Sequence, residues 1–150
     1  MCSSDLIAEW VDSDLSESLA DTMRYRSARV FGVWSGVTGF ERELIDSDAD
    51  PYRLLTRLPS WRPVAGLCVV MTGWMSRVDE GDDDTGSDAD RRRVRVTAAV
   101  NDEGVSVVVR RFDDDGCSDS FADGGEGIFP EALRVWWSAF VSLGTQREDR

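Results

Sequence analysis

The sequence predicts an α+β domain, a small antiparallel sheet packed with N-terminal helices and a C-terminal helix. Three stretches predict it. RRRVRVTAAV (Arg91 to Val100) and VSVVVRRF (Val105 to Phe112) each alternate apolar and polar residues around the turn sequence NDEG, which is the pattern of a β-hairpin. VAGLCVVMTGW is apolar at both parities, so the strand near 64–75 is one covered on both faces. In PEALRVWWSAFV, Leu133, Trp136, Trp137, Phe140 and Val141 recur at helical spacing, which predicts an amphipathic helix over 130–143. Pro130 suits its first turn and Gly144 its end.

The hairpin register follows from the pattern. If Val100 faces Val105, then Ala98 faces Val107, Val96 faces Val109 and Val94 faces Arg111, leaving one face almost wholly apolar. A slip by one residue would mix the two faces, so strands over 91–100 and 105–112 joined by a four-residue loop are expected. The opposite face then carries Arg93, Arg95, Thr97, Ala99, Ser106, Val108, Arg110 and Phe112.

At the N-terminal end, Ser4 and Asp5 can cap the apolar set Leu6, Ile7, Trp10 and Val11, and Leu15, Leu19 and Met23 continue it, so residues 4–26 read as one or two helices. A further strand is a candidate over 29–34, followed by a GVTG turn and a short helix in FERELI. Pro51 suits the first turn of another helix carrying Tyr52, Leu54, Leu55 and Leu58, closed by Pro59 and Pro63. Residues 76–90 and 113–127 are Asp-rich, have no apolar period, and read as mobile acidic loops.

A length of 150 residues suits a single domain spanning 1–150. Asp and Glu number 29 against 17 basic residues, for a net charge of −12; every basic residue is Arg, and Lys and His are absent. This composition is that of a GC-rich genome. The charge opposes direct nucleic-acid binding, which needs cations to displace counterions, and binding to an anionic membrane. Without His there is no Ser–His or Cys–His pair, and without Lys no P-loop or Schiff base. Three cysteines without a CxxC spacing offer neither a zinc motif nor a disulfide framework. The opening MCSSDLIAEW has no basic-then-apolar signal, and the longest apolar stretch, of about 12 residues, is short of the ~20 that span a membrane. A cytoplasmic protein without a cofactor is expected.

The candidate sites are matters of charge geometry. One acidic loop enters the hairpin and the other leaves it, so both belong at the end opposite NDEG. Residues 77–90 sum to −6, and so do residues 113–127. Beneath them Arg95 faces Arg110, an unfavourable pairing that the acidic loops can relieve. Asp82, Asp83, Asp84, Asp113, Asp114 and Asp115 are therefore candidate contacts for a basic partner. Arg93, Arg95 and Arg110 are candidate ligands for an anion. Trp136 and Trp137 are adjacent and cannot point the same way, so one is expected in the core and Trp137 is a candidate partner contact. Asp46, Asp48 and Asp50 begin a calcium-loop spacing that fails at Pro51 and Arg57, so no metal site is assigned. Gly32, Gly36 and Gly39 do not meet the GxGxxG fingerprint. Cys68 lies in an apolar strand and reads as a core residue, and Cys117 sits among acids that oppose thiolate formation.

The block GLCVVMTGW … RRRVRVTAAVNDEGVSVVVRR … GGEG … EALRVWW, within residues 64 to 140, loosely resembles short uncharacterised proteins of high-GC actinobacteria. The resemblance implies a source of that kind and no activity. The reading that results is a non-enzymatic interaction or accessory module that binds a protein partner, a basic one in the sharpest form, by analogy with immunity, antitoxin or DNA-mimic proteins. The alternative is a carboxylate-dependent, Mg-assisted enzyme, or an anion-binding domain that uses the Arg face of the hairpin.

Overall fold

A computed structural model describes residues 3–15, 28–76, 91–112, 118–123 and 127–148. In chain order the elements are α1 (Ser4–Leu15), β1 (Ala28–Gly36), β2 (Gly39–Asp48), α2 (Pro51–Leu54), β3 (Gly66–Ser76), β4 (Arg91–Asn101), β5 (Gly104–Phe112), β6 (Ser118–Asp123) and α3 (Ile128–Glu148). The six strands form one antiparallel sheet in the order β2-β1-β3-β4-β5-β6. The α+β class stands, with α1 on one face of the sheet and α3 on the other.

The two faces explain the apolar pattern of β3. Leu67 and Val69 join Val94, Ala98, Val107 and Val109 under Leu133, Trp136, Trp137 and Phe140 of α3. Cys68 and Val70 turn the other way and join Phe31, Val33, Ala99 and Val108 under Ile7, Ala8, Val11 and Leu15 of α1. A central strand with both faces covered has no polar side to alternate with. The hairpin has the expected register: Val100 pairs with Val105, Ala98 with Val107, Val96 with Val109, Val94 with Arg111 and Arg95 with Arg110.

Several elements differ from the sequence expectation. FERELI is part of β2. Gly36 pairs with Gly39 around Val37 and Thr38, and Gly39 takes a φ of 137°, which its missing Cβ permits. That tight turn lays residues 40–48 along β1, and strand pairing overrides the helix preference of Glu, Arg and Leu. A register shift between Val30 and Phe31 leaves Ile45 as an extra residue, and it packs against the α3-side cluster. The helix expected over 51–58 is one turn of α2. Its N-cap is Asp50, whose side chain accepts from Tyr52 N, and the chain leaves through turn bonds from Thr56 N to Arg53 O and Arg57 N to Leu54 O. Residues 113–127 are not one loop, because β6 lies within them and pairs Phe112 with Ser118 through Val107 with Asp123. SDSFAD has little apolar pattern, so its strand character comes from backbone pairing with the edge of β5. The second half of the N-terminal helical set, Leu19 and Met23, lies outside the described residues.

The C-terminal helix runs through Gly144 rather than ending there. Gly144 is buried, and a Cβ built on it would run into Nε1 and Cε2 of the Trp61 indole. Glycine serves here for close approach of the ring to the helix, not as a cap. Gly144→Ala should therefore destabilise the fold by about 1–3 kcal/mol through overpacking, despite the ~1 kcal/mol that alanine gains over glycine in a helix interior. Urea denaturation measures the sign; a stabilised variant would show that Trp61 moves aside freely.

Candidate functional site

On the α1 side, β4 and β5 present Arg95 beside Arg110 with Thr97, Ala99, Ser106 and Val108 further along. Two guanidinium groups directly across a strand pair repel, and an acid lies between them. That acid is Asp12 of α1. Arg95 Nη2 donates to Asp12 Oδ1 at 3.0 Å and to its carbonyl oxygen at 2.8 Å. Arg110 grips the same carboxylate as a fork, with Nη2 to Oδ2 at 2.7 Å and Nε to Oδ2 at 3.1 Å and to Oδ1 at 3.3 Å. The Arg95 side chain is 0% exposed, that of Asp12 3% and that of Arg110 19%. The Arg95 guanidinium also lies 5.9 Å from the centroid of the Phe112 ring.

The local sequence places Asp12 there. Ile7, Ala8, Val11 and Leu15 form the buried stripe of α1, and Asp5 and Asp12, two turns apart, flank it. Ser3 opens the helix by accepting from Leu6 N through Oγ. Asp5 accepts a 2.5 Å hydrogen bond from Ser106 Oγ. With that proton committed, Ser4 Oγ donates to Ser106 across 2.6 Å. Two carboxylates thus fix α1 along β5, near Ser106 at one end and Arg110 at the other. On the far side, Arg42 of β2 reaches Asp14 at 2.7 Å and lies 4.9 Å from the Phe31 centroid.

Asp12 relieves the Arg95–Arg110 repulsion from the α1 side; residues 77–90 and 113–117, from which that relief was expected, lie outside the described residues. Arg95 and Arg110 face α1 instead of forming an open anion surface, while Arg93, two residues along β4, is half-buried. Trp136 and Trp137 are both buried, at 3% and 8% exposure, because α3 lies across a broad sheet and an arc wide enough for adjacent residues is covered. Trp137 Nε1 donates to Asp102 Oδ1 at 2.9 Å and ties α3 to the β4–β5 turn, so Trp137 is a core residue and not an exposed contact. Trp136 Nε1 donates to Arg57 O at 2.8 Å.

Asp82, Asp83, Asp84, Asp113, Asp114 and Asp115 lie outside the described residues. The strand ends that carry their segments are described. Ser76 pairs with Arg91, Arg93 with Phe112, and Phe112 with Ser118. Residues 77–90 and 113–117 are therefore attached at the same end of the sheet, opposite the Asn101–Gly104 turn. The first segment sums to −6 and the second, shortened by β6, to −3.

The other Asp run is structural. Arg57 bridges Asp46 and Asp48, at 3.1 Å and 2.9 Å. The backbone N–H of Asp50 and the Arg57 guanidinium hold the Asp48 carboxyl below its ordinary range, and Asp50 caps α2. Among the described residues no group of three or more acids or cysteines is arranged to hold a metal ion, and no helix is long and apolar enough to cross a membrane. No protein-family model, curated protein or solved structure matches this chain.

The sequence offers Asp12 as a possible start of a second helical set, whereas it lies inside α1 as an ion-pair partner; the signal for that role is an acid bordering the buried stripe of a helix, and arginines at the inward positions of an alternating hairpin. Asp12→Ala should cost about 3–5 kcal/mol in denaturant-measured stability, because it removes the buried carboxylate that two guanidinium groups share, one of them fully buried. The triple variant Asp12→Leu, Arg95→Met, Arg110→Leu should recover most of that loss. A mild Asp12→Ala phenotype would show that the cluster contributes little. Thr97 Oγ1 is buried beside it with no hydrogen-bond partner among the described residues, so Thr97→Val should hold or raise stability, by up to about 1–3 kcal/mol; a loss would reveal a partner for the hydroxyl.

Cys68 gives a pH test. Burial, and secondarily the Asp12 charge, push its thiol well above the ordinary 9.0. The folded chain keeps this proton where the unfolded chain releases it. The contribution is intact below about pH 9 and is lost as pH climbs beyond it. With Cys2 and Cys117 replaced by Ser, stability should fall more steeply above pH 9 than in the same background carrying Cys68→Ala. Parallel curves would mean the thiol is not desolvated.

Proposed function

We propose that this chain is a non-enzymatic interaction module that binds a basic protein through the Asp-rich segments at one end of its sheet. Strand register supports the reading: four strand ends meet at the edge from which residues 77–90 and 113–117 depart. Two segments of the same sign anchored side by side reinforce one another's potential over distances within the ~8–10 Å screening length. Asp82, Asp83, Asp84, Asp113, Asp114 and Asp115 are the proposed contacts. A reducing, cytoplasmic setting belongs to the proposal and suits the free thiol of Cys68.

The alternative, an anion site on Arg93, Arg95 and Arg110, has less support because the Asp12 carboxylate already occupies two of its three members. A carboxylate-dependent enzyme would need acids from different elements converging on a shared site. The described carboxylates Asp12, Asp46, Asp48 and Asp50 instead serve ion pairs and a helix cap.

Calorimetric titration with an arginine-rich peptide tests the reading. Affinity should fall by roughly tenfold or more on going from low to moderately high salt, as screening shortens the field. Converting the six aspartates to Asn should remove most of the binding. Glu103→Gln, in the Asn101–Gly104 turn at the opposite end, should cost much less per charge. An equal loss per charge would mean bulk attraction without a binding end, and salt-independent binding would exclude electrostatic recognition.

A further inference from the structure

We draw no further inference here: the strongest candidate, the outward seam of Ile128, Val135 and the half-buried Ala132 and Ala139 on the C-terminal helix, is an apolar face for which nothing in the structure shows what covers it.

Discussion

The architecture depends on one carboxylate placed between two guanidinium groups. The register that makes the α3 face of the β4–β5 hairpin apolar also puts Arg95 opposite Arg110 on the other face. Those two demands conflict until α1 arrives with Asp12. Once it does, the repulsion becomes a three-membered ion cluster, and the helix carbonyl at position 12 gains a charged donor from Arg95 as well. A cation near the last turn of a helix is favoured by the helix dipole, so the same contact stabilises α1 internally. Helix docking and strand register are thus coupled through one side chain.

The two faces of the sheet are held by different physics. Under α3 the contacts are aromatic and aliphatic, and the polar atoms of Trp136 and Trp137 are directed to Arg57 O and Asp102 at the margin of the cluster. Under α1 the apolar stripe is flanked by hydrogen-bonded acids. Apolar packing tolerates sliding of a helix by a fraction of a turn, whereas a forked Arg–carboxylate contact does not. The polar face therefore sets where α1 sits, and its stripe supplies the burial that makes the position stable.

Legibility in the sequence followed the strength of side-chain pattern. The hairpin register was readable because strands of eleven and nine residues with one apolar face admit a single alignment, and β3 was readable because Leu67, Cys68, Val69 and Val70 leave no polar side. β2 and β6 were not. Both are edge strands, where Phe40 to Leu44 and Ser118 to Asp123 owe their extension to a neighbour's backbone. The candidate site divided in the same way. That the acidic segments share one end followed from connectivity alone. The use of Arg95 and Arg110 did not, since it required knowing that α1 crosses β5, a contact between residues 83 and 98 positions apart.

This division bears on what the acidic end can do. The charge of the whole chain is −12, yet several of the described acids are spent on local arginines: Asp12 on Arg95 and Arg110, Asp14 on Arg42, Glu43 on Arg62, and Asp46 and Asp48 on Arg57. Such internal pairing cancels field at a distance. The surplus is concentrated in the sequence of residues 77–90 and 113–117, whose single Arg is set against ten acids. Long-range attraction of a cationic surface depends on unpaired charge, not on total acid content. The pairing of acids with arginines across the described scaffold thus leaves most of the surplus in two segments that are attached at the end of the sheet opposite the Asn101–Gly104 turn.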